Sequence, residues 1–217
     1  MFKRQPLDYL VDSEGGLRES AVDDLKLYLS KYDGRFFDEL ADADHPNQFT
    51  PSDLLALQTL GGLTIPTEAA INLIRDSIPG KVGQFAECLS AIPVDATIWD
   101  SRNDWLAQDA AQTLWRILVS KKVVGVGRTK ASKLLAAKRP LLFPIYDKYV
   151  AAGLLEDVND DDWVPWRHSF VSQTGTALLD ACYLARDEAC GKAASLSPLR
   201  VLDIVIWMHE KRVPASS

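Results

Sequence analysis

An amphipathic helical pattern runs through Val119-Ser120-Lys121-Lys122-Val123-Val124 into Gly125-Val126-Gly127, and a second helical pattern starts directly after, at Arg128-Thr129-Lys130-Ala131-Ser132-Lys133-Leu134-Leu135. So short a connection commits the middle of the chain to two helices that meet at close range. Glycine permits positive φ and carries no Cβ, so two of them let the bend tighten and leave its backbone open to approach. Val126 between them is expected to point inward and pin the turn. Ala131, one turn into the second helix, is small enough for the helices to touch, and Leu134 and Leu135 are expected to bury its inner face. The amides of Gly127, Arg128 and Thr129 then lie at a helix N-terminus, where partial positive charge suits a phosphate oxygen. Lys121, Lys122, Arg128, Lys130 and Lys133 surround that spot. The same residues also suit a tight interhelical turn that holds no ligand.

Charge is distributed unevenly around this bend. The formal net charge is −6, which by itself argues against a polyanionic partner. Yet Ala110 to Tyr146 holds no Asp or Glu and eight bases: Arg116, Lys121, Lys122, Arg128, Lys130, Lys133, Lys138 and Arg139. The rest of the chain has 16 bases against 30 acids. A polyanion would be drawn to the one stretch and repelled elsewhere. A lysine-rich, solvated helix face is the other reading of the same residues.

Elsewhere helix signals dominate. Thr50-Pro51-Ser52-Asp53 offers an N-cap, a proline at the first helical position and an acid at the third, ahead of Leu54, Leu55, Leu57 and Leu60. Gly61-Gly62 stops that helix. Thr67 is a candidate cap for the next, with Ala70, Ile71 and Ile74 on its inner face, and Pro79-Gly80 ends it. Phe85, Leu89 and Ile92 mark a short helix. Asp104 opens a longer one, with Trp105, Leu114, Trp115, Leu118 and Val119 inward. Gly175 to Gly191 reads as helix, and Ser197-Pro198 opens another with the stripe Leu199, Leu202, Ile206 and His209. Val123-Val124 and Leu141-Leu142-Phe143 are too short and isolated for a sheet. The expected fold is all-α: a two-lobed helical bundle of about ten helices, one compact unit over 1–217, with residues 104–150 carrying the glycine bend and the helix that follows it.

At 217 residues, with 47% hydrophobic and 25% charged residues, the chain has the composition of a globular protein. No apolar run approaches the roughly 18 residues a bilayer span needs. Met1-Phe2-Lys3-Arg4-Gln5-Pro6 leads into Asp8 and Asp12 with no apolar leader core, and Cys88, Cys182 and Cys190 form no Cys-x-x-Cys pair. A cytoplasmic location, no membrane partner, no metal and no cofactor are the expectations.

The segment 119–135 resembles the helix-hairpin-helix motif. Val123, Gly125, Val126, Gly127, Ala131, Leu134 and Leu135 fit its pattern, whereas Ser120 takes a hydrophobic position that Val119 beside it can fill. The resemblance implies contact with the DNA backbone, without sequence reading, through Val124, Gly125, Val126, Gly127, Arg128, Thr129, Lys130 and Lys133. Asp147, in Phe143-Pro144-Ile145-Tyr146-Asp147-Lys148-Tyr149-Val150, lies 22 residues beyond Gly125. The base-excision glycosylases of the endonuclease III type have an essential Asp at that separation. It sits at the mouth of a helix that faces the hairpin, and stabilises charge on the sugar as the base leaves or positions water. That likeness implies Asp147 as the catalytic residue; an Asp there also suits a plain helix N-cap. Thr129 stands where bifunctional members carry a Schiff-base lysine, so any activity implied is that of a monofunctional N-glycosylase on a modified or damaged base. Lys148 and Tyr149 stand where the family has Thr or Ser and His. The four-cysteine cluster of some members is missing. The whole chain also looks like an uncharacterised bacterial family with the signature Lys138-Arg139-Pro140 and Pro144-Ile145-Tyr146-Asp147.

Three function classes follow: a DNA-binding protein with a glycosylase-like scaffold, a non-catalytic module that grips duplex DNA, and a helical partner-binding protein without nucleic acid. Tyr32, Arg35, Phe36 and Phe37 form a basic-aromatic group suited to core packing or to stacking on a base. Trp163 and Trp166, near Arg167 and His168, are core candidates or pocket walls. The acid run 156–162 lacks the alternation and glycine of a calcium loop and reads as a solvated helix start.

Overall fold

A computed structural model describes residues 4–120, 123–154, 163–191 and 195–212. The chain is all-α. Among the described residues it forms α1 (Glu19–Lys31), α2 (Phe37–Leu40), α3 (Pro51–Thr59), α4 (Thr67–Ile74), α5 (Gln84–Ser90), α6 (Asp109–Val119), α7 (Arg128–Lys138), α8 (Lys148–Leu154), α9 (Trp163–Val171), α10 (Gly175–Cys190) and α11 (Pro198–Arg212). Among the described residues the one ladder is a two-residue hairpin, β1 (Ser77–Ile78) against β2 (Lys81–Val82). The chain divides into two units: a terminal unit of Met1–Tyr32 with Pro144–Ser217, and a central unit of Asp33–Phe143. The glycine bend belongs to the central unit and Asp147 to the terminal one.

The terminal unit is built on α11, where every residue from Pro198 to Ile206 is buried. Ser197 caps it, its Oγ accepting from the Arg200 amide at 3.1 Å, and α1, α8 and α10 pack around it. Leu25 and Tyr28 of α1, Val150 and Leu154 of α8, and Leu178 and Cys182 of α10 supply the facing side chains. Gly191 ends α10 at φ +81°, a backbone conformation that glycine adopts readily. Trp163 and Trp166 are core residues. The acid run 156–162 lies outside the described residues.

In the central unit the local signals fix the start of α3. The Thr50 amide donates to Asp53 Oδ2 at 2.8 Å, with Pro51 as the first helical residue. Gly61 and Gly62 both take positive φ and stop the chain from continuing. Two expectations for α4 need correction. Pro66, not Thr67, is the cap, and the buried face is Ala69 and Leu73, while Ile71 and Ile74 stay about 40% exposed. Pro79-Gly80 forms the turn of the small hairpin instead of a plain helix stop. Asp104 opens a short 3-10 turn, Trp105–Ala107, and α6 proper starts at Asp109 with Leu114, Trp115 and Leu118 buried.

The largest departure is α7. A helix with one apolar stripe was expected, but every residue from Ala131 to Arg139 is buried. Helices α3 and α6 pack on it, and its three later bases turn inward to acceptors from distant parts of the unit. Lys133 Nζ donates to the Leu60 carbonyl at 3.3 Å. Lys138 Nζ reaches the carbonyls of Asp42 and His45 at 3.0 and 3.1 Å and pairs with Asp53. Arg139 is fully buried and donates to the carbonyls of Ile92, Pro46 and Leu89 and to Asn47 Oδ1. Burial pulls its pKa down to about 10, because the charged form loses its hydration. Neither the free basic stretch nor the solvated lysine face describes these three residues.

Candidate nucleic-acid interface

The bend between α6 and α7 is shaped by which of its residues go inward. Val123 and Val126 are buried, and the Val126 amide donates to the Val123 carbonyl at 3.1 Å. Val124 at the tip is 68% exposed. Gly125 takes φ +85°, and a Cβ built on it would lie 2.4 Å from Pro66 Cγ. Glycine is therefore required there twice over, by conformation and by the close approach of the α4 cap. Lys130 Nζ donates to the Gly125 carbonyl at 2.7 Å, bracing the turn from the first turn of α7.

Gly127 behaves differently. Its backbone is extended, φ −86°, and a Cβ placed on it would meet nothing within 4 Å. The expectation that both glycines serve positive φ is corrected: only Gly125 does. Gly127 is the N-cap of α7, exposed, with its carbonyl accepting from the Ala131 amide at 2.9 Å. The α7 terminus thus opens to solvent at a residue without a side chain. Arg128, Thr129 and Lys130 follow, each half-buried.

Of the remaining expected contacts, Arg116 is exposed on α6. Lys121 and Lys122 lie outside the described residues. Lys133 is a correction: its burial under α3, with Nζ on the Leu60 carbonyl, removes it from any surface contact. Asp147 precedes α8. Its Oδ1 accepts from the Tyr149 amide at 3.0 Å and its carbonyl from the Ala151 amide at 2.8 Å, so it caps that helix. Of the basic-aromatic group, Tyr32 stacks on Tyr28 at 5.5 Å, Arg35 lies over Phe36 at 4.3 Å and Phe37 is buried.

Sequence reasoning missed Pro66, whose packing on Gly125 joins positions 59 residues apart. It also missed the rings around Trp207, contributed by α1, α8 and α11. Spacing gives a partial signal for the second group, since Tyr28 and Tyr32 are one helical turn apart.

No curated protein and no solved structure matches the chain. A family model matches residues 21–210, from the first turn of α1 through nearly all of α11, and takes in both the bend and Asp147. The chain belongs to the family of unknown function DUF6308.

Proposed function

We propose that the protein binds the backbone of duplex DNA through the 124–130 bend. Phosphate would approach the α7 N-terminus over the bare Cα of Gly127, with Arg128 and Thr129 beside it. The observation that carries this reading is the open space at Gly127, on an exposed helix N-terminus held in place by buried Val126 and by Gly125 against Pro66. The peptide dipoles of a helix N-terminus favour an anion at such a place. The helix-hairpin-helix resemblance supplies the chemistry of that anion.

Base release by a monofunctional N-glycosylase activity is the further part of the proposal, with Asp147 stabilising charge on the sugar or orienting water. The Asp147 bond to the Tyr149 amide favours a second reading, a non-catalytic DNA-binding module in which that residue caps a helix.

Gly127→Asp tests binding. Asp is a favourable N-cap and the site has room for it, so the fold is kept while a carboxylate is set against phosphate. Wild-type protein should bind labelled duplex with affinity that falls steeply between two salt concentrations, and the variant should bind at least ~10-fold more weakly. Wild-type protein that fails to bind duplex even at low salt ends both DNA readings. For catalysis, modified duplexes are incubated with protein and then treated with alkali. Strand breaks with wild type that vanish with Asp147→Asn support the glycosylase; breaks retained in full by Asp147→Asn remove that residue's role.

A further inference from the structure

The terminal unit carries a second surface that the hairpin reading leaves unused. Arg200, Asp203, Trp207 and Lys211 follow at helical spacing along one face of α11. At its inner end the face is closed: Arg200 pairs with Asp203 and donates to the buried Tyr28 hydroxyl at 2.9 Å. At its outer end it opens. From Pro198 to Met208 every residue is buried except Trp207. The Trp207 ring meets Tyr32 at 5.3 Å and Tyr149 at 5.9 Å, both edge-to-face, and all three rings are half-buried.

Cations sit on these rings. Lys211 Nζ lies 4.3 Å from the Trp207 ring centre and 4.7 Å from that of Tyr32. Lys148 Nζ lies 4.8 Å from Tyr149. The acids close by are engaged elsewhere: Asp203 with Arg200, Asp24 with Arg212, Glu210 with Tyr9, and Asp147 with the Tyr149 amide. Half-buried rings with ammonium groups resting on them, and among the described residues no carboxylate paired with those ammonium groups, match what a single strand requires: stacking for unpaired bases and cations for their phosphates.

We propose that Trp207, Tyr32 and Tyr149, flanked by Lys211 and Lys148, form a stacking platform for unpaired nucleotides of single-stranded DNA. A base stacks on the ring faces that Lys211 and Lys148 cover, and the lysine ammonium it displaces swings on its flexible stem to the adjoining phosphate. The platform does not depend on the hairpin or on catalysis by Asp147, although Tyr149 adjoins that residue. A neutral sugar would use the rings but leave the two cations without a role, so nucleotide is the occupant the charge favours.

The test measures anisotropy of a labelled oligothymidylate of about 12 nucleotides with the full chain. Wild-type protein binds it, and thymidine monophosphate quenches tryptophan fluorescence where inorganic phosphate does not. Trp207→Leu and Tyr149→Leu weaken binding by at least ~10-fold. Lys148→Ala with Lys211→Ala, both at exposed positions, weakens it too and lowers the salt slope by about 1.4, at roughly 0.7 per phosphate contact. Gly127→Asp leaves this binding unchanged while it removes duplex binding, so the two proposals fail separately. The platform is overturned if oligothymidylate does not bind at about 50 mM salt. It is overturned equally if the lysine pair can be removed without effect, or if an uncharged oligosaccharide binds in place of the oligonucleotide.

Discussion

Lys138 Nζ stands 2.6 Å from Asp53 Oδ2, and neither side chain reaches solvent. The pair ties the end of α7 to the start of α3, because the same carboxylate accepts from the Thr50 and Asp42 amides. What reads in sequence as one more base in a cationic stretch is thus an internal tie. A charge left alone at such a depth has neither water nor partner to stabilise it.

Lys138→Met should therefore destabilise the protein by about 3–5 kcal/mol, since it strands the Asp53 carboxylate. Urea unfolding followed by circular dichroism checks this. Arg139→Lys should cost at least ~2 kcal/mol, because one ammonium cannot serve acceptors spread across the planar guanidinium fork. A loss within ~0.5 kcal/mol, the range of an ordinary surface change, would show that neither base is a structural tie.

The two glycines of the bend should respond oppositely to alanine. Gly125→Ala faces a left-handed φ and Pro66 Cγ at 2.4 Å, so a cost of ~2–4 kcal/mol is expected from conformation and overpacking together. Gly127→Ala meets no atom in an extended backbone, and should stay within ~0.5 kcal/mol of wild type. Equal losses at both positions would contradict the described bend.

Gly153 of α8 packs where a Cβ would lie 2.7 Å from both the Tyr9 hydroxyl and Glu210 Cγ. Gly153→Ala should destabilise by ~1–3 kcal/mol. Combined with Tyr9→Phe, which removes that hydroxyl, it should cost less than the sum of the two single changes, by at least ~0.5 kcal/mol in a double-mutant cycle. Strict additivity would place Tyr9 away from α8.

His209 links stability to pH. Burial first, then the Arg4 guanidinium, holds its pKa below the ordinary 6.5, and Arg4 Nη1 lies 3.1 Å from its Nε2, a contact that the neutral ring accepts. A depressed pKa in the folded state means that unfolding takes up a proton, so stability rises with pH through this group. Its contribution is complete above 6.5 and is lost as pH falls from there through the lower folded value. The denaturation midpoint of wild type should drop across that window, while His209→Gln, which cannot titrate, should show a flatter profile. Identical profiles would separate His209 from acid sensitivity.

Much of the fold was legible because its signals are local. Thr50-Pro51-Ser52-Asp53 names the start of α3, Gly191 the end of α10 and Ser197-Pro198 the start of α11, since capping involves atoms within four residues of one another. Val126, Ala131, Leu134 and Leu135 were assigned inward from the same short-range geometry, and all four are buried. The face of α4 was misassigned because Ala69 with Leu73 and Ala70 with Ile74 have the same helical spacing, and only the neighbouring elements choose between two such stripes.

For the candidate site, residue types and spacing alone determined where a close-approach bend falls and which amides begin the helix after it. Tertiary structure alone decided that Lys133, Lys138 and Arg139 face inward, that Gly127 is open while Gly125 is held against Pro66, and that three rings from α1, α8 and α11 gather at one surface. A lysine or arginine has the same long, flexible stem whether its charge meets water or a carbonyl. The choice rests on acceptors dozens of residues away, and nothing in the local pattern encodes whether the chain will bring them there.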